Sequence, residues 1–225
     1  ATSYWQALPI TEAETFRLLM VSTDEVFGAL GTTGQFDEGS AYLPNSPYAA
    51  TKAAGDHLAR AWHQSLGLPV IVCHCSNNYG PRQTPDKLIP KVIINAIRGE
   101  AIPIYGDGSQ VRDWIWVKDH ARGLAAALMQ GKPGEHYLFG GSGETSNLEL
   151  AGTICDLLDK YDPDSKNGSR RQLIEMVADR PGHDQRYAVD WRKAERDLHW
   201  RPAVAMQSGL EDTIRWYMAN TEWWM

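Results

Sequence analysis

Two pairs of side chains in this sequence have the types and spacing to move protons. Tyr48 and Lys52 stand four residues apart, on one face of any helix that carries them. A phenol with a pKa near about 10 is a poor base, but an ammonium beside it favours the phenolate and brings it toward the working range. Such a pair can take the proton of an alcohol while a hydride leaves the adjoining carbon. The second pair is Asp24 and Glu25, adjacent carboxyls directly after the apolar run Leu18–Val21. Partial burial of neighbouring acids can hold one protonated and leave the other ionised, an acid and a base in one place. Each pair has a plainer reading too. Tyr-x-x-x-Lys occurs on solvated helix faces, and Ser22-Thr23-Asp24-Glu25 would serve as a solvated turn in which Asp24 caps a helix.

The elements that must position these pairs are legible around them. A strand near Phe16–Ser22 would place both acids at its carboxyl end, where ligands bind in open α/β sheets. Asn45-Ser46-Pro47 offers a capping residue and a first-turn proline for a helix from about Pro47 to Ser65. Ala49, Ala50, Ala53 and Ala54 surround the Tyr48–Lys52 pair and allow another backbone to approach closely. A strand at Val70–Cys75 completes a β-loop-α-β unit. Further on, the pattern predicts helices near Leu88–Arg98, Val117–Gln130, Asn147–Lys160, Trp191–His199 and Met206–Met218. Strands are expected at Ile102–Tyr105, Val111–Ile115, His136–Phe139 and Leu173–Val177, with a Gly106-Asp107-Gly108 turn joining the first two and a polar loop at Asp162–Arg171. The alternation argues for an α/β architecture with a largely parallel sheet. Composition drifts without a break, and the domain change is placed near Tyr79.

With 225 residues and 43% hydrophobic content, the chain suits one large domain or part of a two-lobed enzyme. The net charge of -6 is mild and the Lys and Arg residues are dispersed, which argues against nucleic-acid and membrane partners. Of the three cysteines, Cys73 and Cys75 lie in a strand-like apolar run and are expected as small buried hydrophobes, so no metal site is expected. There is no run of about 18 apolar residues and no basic-then-apolar leader, so a cytoplasmic address is expected.

Longer motifs then join the two pairs. Ser22-Thr23-Asp24-Glu25-Val26-Phe27-Gly28 is similar to the Ser-Thr-Asp-Glu-Val-Tyr-Gly signature of the dTDP-glucose 4,6-dehydratases, with Phe27 in place of tyrosine. Tyr48-x-x-x-Lys52 resembles the catalytic motif of the short-chain dehydrogenases/reductases, whose extended branch includes those enzymes. Ser76-Asn77-Asn78-Tyr79-Gly80-Pro81, Lys87-Leu88-Ile89-Pro90, Gly106-Asp107-Gly108, Arg112-Asp113-Trp114 and Arg180-Pro181-Gly182-His183-Asp184 follow in order. Singly these read as turns and loops; jointly they carry the resemblance over nearly the whole chain. Related sugar-nucleotide epimerases and decarboxylases usually lack the Asp-Glu pair.

The resemblance implies part of a Rossmann-like doubly wound parallel sheet, residues 1–79, and a smaller mixed α+β substrate-binding lobe, mainly 80–225, with segments returning to the sheet. It implies NAD as cofactor and dehydration of dTDP-glucose to dTDP-4-dehydro-6-deoxyglucose, in deoxysugar biosynthesis. Tyr48 would be the base at the C4 hydroxyl, Lys52 would tune it, Thr23 would orient the sugar, Asp24 would be the acid and Glu25 the base at C5. Ser22, Tyr48, Lys52 and Asn78 would contact the cofactor. Thr23, Asn77, Lys87, Leu88, Pro103, Tyr105, Arg112, Asn147, Arg180 and His183 would contact the dTDP-sugar nucleotide, with the Arg112 fork and the Lys87 point charge suited to a pyrophosphate. A homodimer is implied as well. Another enzyme of the same group, an epimerase or decarboxylase, and a non-catalytic sugar-nucleotide-binding fragment remain alternative readings.

One spacing is a decoy. Gly28-x-x-Gly31-x-x-Gly34 matches a dinucleotide loop, but Gln35-Phe36-Asp37-Glu38-Gly39 offers no helical period to follow it and adds acids. In the resembling family the true glycine loop precedes the region matched by Ala1 onward. The first strands of the sheet are therefore expected outside this chain, leaving a sheet edge and an apolar face exposed.

Overall fold

A computed structural model describes residues 1–163 and 168–225; positions 164–167, and with them part of the loop expected at 162–171, lie outside the described residues. Two short helices, α1 (Thr2–Gln6) and α2 (Ile10–Thr15), lead into β1 (Leu18–Thr23). A 3-10 turn at Asp24–Phe27 ends that strand, and α3 (Pro47–Leu66) and β2 (Val70–Cys75) follow. Next come β3 (Asn77–Tyr79), α4 (Leu88–Arg98), β4 (Ile102–Tyr105), β5 (Val111–Arg112), β6 (Trp114–Trp116) and α5 (Val117–Gln130). The chain continues through β7 (His136–Phe139), β8 (Thr145–Ser146), α6 (Asn147–Tyr161), β9 (Ile174–Val177), α7 (Arg192–Leu198) and α8 (Met206–Ala219).

β1, β2 and β7 form a parallel sheet in that order, in register from Leu18↔Val70 to Thr23↔Cys75 and from Val72↔His136 to Cys75↔Phe139. Parallel strands are covered on both faces, which is why Val70–Cys75 reads as an almost unbroken apolar run. Val70 and Val72 turn toward Ala59 and Leu68, the α3 side, together with Leu18 and Met20. Ile71, Cys73, Tyr137 and Phe139 turn the other way, onto Ala127 of α5 and Ala194 and Leu198 of α7. The result is an α/β sheet with helices on both faces. Each fully buried side chain of this kind contributes roughly 1.5–3 kcal/mol. α3 starts where the Ser46 hydroxyl accepts from Ala49 N at 3.1 Å and stops at Gly67, whose φ of 73° suits a residue without Cβ.

A second core joins Ile89, Val92 and Ile93 of α4, Ile102 and Ile104 of β4, Leu150, Ile154 and Leu158 of α6, and Leu210, Ile214 and Tyr217 of α8. β6 joins the two cores: Trp114 and Trp116 enter the second, and Ile115 enters the first.

Three expectations need correction. The single strand expected over Val111–Ile115 is two strands broken at Asp113, because the chain changes partners there: β5 runs antiparallel to β8, and β6 runs parallel to β3. Nor does Gly106-Asp107-Gly108 close a hairpin. β4 pairs in parallel with β9 instead, and the two glycines, at φ 61° and 72°, turn the chain away from β4. Cys75, expected buried like Cys73, is half-buried.

Candidate active site

Ser22, Thr23 and Asp24 are buried where β1 ends. Thr23, not Asp24, caps the following turn: its hydroxyl accepts from Glu25 N at 3.3 Å and lies 3.3 Å from Asp24 Oδ1. The other carboxyl oxygen of Asp24 has no partner among the described residues. Burial drives the Asp24 pKa well above the usual carboxylate range, and the charges of Glu25 and Asp113 add to it, so the protonated form is favoured. Glu25 is half-buried, and burial raises its pKa too, but Arg180 and Arg112 oppose the rise. Both adjacent acids are thus raised by burial, Asp24 the more deeply buried and strongly raised, Glu25 with two arginines working against its rise.

The first turns of α3 bring the second pair to the same place. Tyr48 is 54% exposed, and its neighbourhood is identified by the groups that act on it: burial raises its pKa, and so do Glu25, Cys75 and Asp24. Lys52 turns its ammonium to the carbonyl of Val21, at 2.7 Å. The expected lowering of the phenol by Lys52 is therefore absent here, because the nearest charges are negative and the ammonium is engaged with backbone.

Cations close the other side. Arg112 is buried; it donates to the carbonyls of Val111 and Asp184, both at 2.8 Å, and stacks 4.4 Å from the Tyr187 ring centroid. Asp184 is pinned in turn by Asn45 at 2.6 Å and by the Tyr187 hydroxyl. Arg112 forms no ion pair with a described carboxylate, yet Arg112, Arg180 and Lys87 all act on Glu25. Three cations converging on a half-open site make a seat for an anionic ligand.

The remaining expected residues fall around this centre. Ser22 donates to Asp56 Oδ2 at 2.7 Å. Asn78 gives its amide nitrogen to Ser76 O at 3.2 Å and receives His120 Nδ1–H at 2.9 Å. Asn77 and Asn147 each carry a buried, unpartnered side-chain oxygen. His183 is held by Asp179 at 2.7 Å and meets Tyr105 edge-on at 6.5 Å. Lys87, at the start of α4, pairs with Asp86 at 3.1 Å, and Leu88 packs against the second core. Pro103 lies in β4, in register with Glu175; no hydrogen bond or ion pair among the described residues links Leu88, Pro103 or Asn147 to the acids.

Residues that spacing alone did not single out complete the site: Tyr187 beneath Arg112, Asn45 on Asp184, His120 behind Asn78, and Cys75 beside Tyr48. Their signal in sequence is weak because each acts across a tertiary contact. A cavity of about 370 Å³ lies elsewhere, lined by Tyr42, Asp56, Arg60 and His136 among others and by none of Thr23, Asp24, Glu25, Tyr48 or Lys52. Chemistry, not cavity size, marks the site.

Gly28, Gly31 and Gly34 lie in irregular backbone, and the carbonyls of Gly31 and Gly34 accept from Arg186. Carbonyls facing a cation, with no helix opening behind them, do not make a phosphate cradle.

A parallel α/β sheet with a Tyr-x-x-x-Lys helix beside its strand ends sets the chain among the short-chain dehydrogenase/reductase-like proteins, and comparison with known proteins narrows the family. The GDP-mannose 4,6 dehydratase family model matches residues 5–213, and the chain belongs to that family. It is 51% identical over 220 residues to the dTDP-glucose 4,6-dehydratase of Xanthomonas campestris pv. campestris, spanning 98% of this chain and 63% of that protein. The dTDP-glucose 4,6-dehydratase of Streptomyces venezuelae, solved with NAD bound, superposes with a TM-score of 0.88 at 44% identity, covering 99% of this chain and 66% of that one. A Bacillus cereus UDP-glucuronic acid 4-epimerase superposes at 0.79 with 28% identity over 92% of this chain and 64% of its own. The chain therefore spans a little under two thirds of the proteins it matches.

Proposed function

We propose that this chain carries the catalytic and sugar-nucleotide-binding machinery of a dTDP-glucose 4,6-dehydratase, a hydro-lyase of deoxysugar biosynthesis. The observation that carries the reading is the unequal burial of the adjacent acids Asp24 and Glu25, with the arginines acting on Glu25. Elimination of water across C5 and C6 of a 4-keto sugar needs a base for the C5 proton and an acid for the departing C6 hydroxyl. Glu25, half-buried and with Arg180 and Arg112 opposing the rise that burial gives its pKa, is the base; Asp24, kept protonated by burial, is the acid. Epimerisation at C4 calls for neither, and the lower identity to the epimerase supports the same choice.

Tyr48 takes the proton of the C4 hydroxyl. With its phenol raised rather than lowered in this structure, that role needs Lys52 to leave Val21 and turn to the bound ligands. Thr23 orients the sugar. Arg112, Arg180 and Lys87 hold the pyrophosphate, while Asn77 and Asn147, each with an unpartnered buried oxygen, meet polar hydrogens of the nucleotide sugar. The exposed phenol, the ammonium one turn on and the Asn78 amide fit the nicotinamide end of NAD. When bound, NAD supplies reversible hydride acceptance, from C4 and back to C6. The division near Tyr79 into a sheet domain and a substrate lobe is proposed on the two cores.

The proposed assembly is a homodimer through the exposed α3 face of Leu58, Trp62 and Leu66; sedimentation tests it. No helix among the described residues is long and apolar enough to cross a membrane, and the proposed setting is the cytoplasm, with no nucleic-acid partner. Incubation with NAD and dTDP-glucose tests the activity, in the chain as given and in a form extended at its amino terminus with the matching segment of a relative. The expected product absorbs in alkali as a 4-keto sugar and has lost one water. No product from either form overturns the reading.

A further inference from the structure

α3 meets β1 through more than the Tyr48–Lys52 pair. Positions 48, 52 and 56 are successive turns of one helix face. Lys52 Nζ donates to Val21 O at 2.7 Å, and Ser22 Oγ donates to Asp56 Oδ2 at 2.7 Å. The last two residues of β1 before Thr23 are thus held by consecutive turns of α3. The approach is tight enough that a Cβ on Gly55 would lie 2.7 Å from Met20 Cε.

Asp56 is itself held from behind. It is buried, as is His74 of β2, whose Nε2 lies 3.1 Å from Asp56 Oδ2. The Tyr42 hydroxyl, from the loop before α3, lies 3.4 Å from the same oxygen and 3.2 Å from His74 Nε2. Three polar groups from three segments converge on one carboxyl oxygen, while Oδ1 has no partner among the described residues. A buried acid is costly unless it is paired, and nothing in the proposed chemistry touches Asp56, His74 or Tyr42.

We propose that Asp56 is a positioning residue that keeps the acid pair in register with Tyr48. It fixes Ser22, and through Ser22 the start of Thr23–Glu25, to the helix face that carries Tyr48 and Lys52. This inference rests on the dehydratase reading, in which Tyr48 works at one sugar carbon and Glu25 at the next. The offset between those groups is set where α3 meets β1, and a misplacement of about 1 Å costs up to about 10²-fold in rate.

The test uses Asp56→Ala, Asp56→Asn, which keeps an acceptor oxygen and removes the charge, Ser22→Ala, and the combined Ser22→Ala/Asp56→Asn variant. Each is made in the chain as given and in the extended form. The first readout needs no cofactor: amide hydrogen exchange at 23–25 should rise about tenfold in Asp56→Ala, and less in Asp56→Asn, while Tyr137–Phe139 keeps its protection. In the extended form, kcat should fall about 10- to 100-fold with KM for dTDP-glucose within about twofold. The combined variant should be no slower than the slower single one, because both changes cut the same link.

Unchanged exchange at 23–25 in a folded Asp56→Asn or Asp56→Ala protein overturns the proposal. So do losses that multiply in the combined variant, or a loss carried by KM alone. If exchange responds as expected but neither form makes a 4-keto product, the tether stands and the dehydratase reading falls.

Discussion

The acid pair and the Tyr48–Lys52 pair lie within electrostatic reach of each other, yet they are tuned differently. Asp24 and Glu25 are set apart by the fold itself: burial and neighbouring carboxylates hold the proton on one, and on the other, less buried, two arginines oppose the rise that burial brings. Tyr48 is half open to solvent, faces negative neighbours, and has its lysine parked on a backbone carbonyl. The acids thus differ through burial within this chain alone, whereas the Lys52 ammonium is engaged with the Val21 carbonyl rather than with the Tyr48 phenol.

The sharpest way to break that contrast is Glu25→Gln. It keeps the shape and removes the base, so kcat should fall about 10³-fold with KM little changed, read by 4-keto product formation. A loss smaller than tenfold would place the C5 base elsewhere. Tyr48→Phe should cost about 10²-fold, and titration of the phenol in the presence and absence of NAD and dTDP-sugar should show its pKa falling only when both are bound.

His120 probes burial on the Asn78 side. Desolvation lowers its pKa to about 4 from an ordinary value of 6.5. A base whose folded pKa is depressed gives stability that is full above about 6.5 and is lost as pH falls from there to about 4. His120→Gln keeps a donor for Asn78 and removes that loss, so denaturant titrations should show a flatter acid limb, by on the order of 2 kcal/mol. Arg112→Lys gives the smallest effect: charge is kept and the fork over Tyr187 is lost, raising KM for dTDP-glucose about tenfold.

Much of this was readable in advance because it is local. A four-residue spacing after Asn45-Ser46-Pro47 places Tyr48 and Lys52 on one face wherever that helix forms, and an apolar run ending at Ser22 puts the acids at a strand's carboxyl end. Parallel pairing follows from a strand that is apolar on both faces. The break at Asp113 is not legible because one aspartate between Val111-Arg112 and Trp114-Ile115-Trp116 does not by itself end a strand, and only the partners on either side, β8 and β3, decide where the register ends. The state of Tyr48 is not legible for a similar reason: helical spacing says that Lys52 is near, not where its ammonium points.

The sequence by itself determined which chemistry was available: two adjacent acids, a phenol with an ammonium one turn away, and scattered cations in motifs whose order names a family. The tertiary structure decided which groups act on which. Arg112 finds its stacking partner Tyr187 and the Asp184 carbonyl more than seventy residues along, and Ser22 finds Asp56 thirty-four residues away. Helix and strand periodicities constrain neighbours within a few residues, whereas desolvation and Coulomb interactions depend on distance in space, which exists only after the sheet has closed.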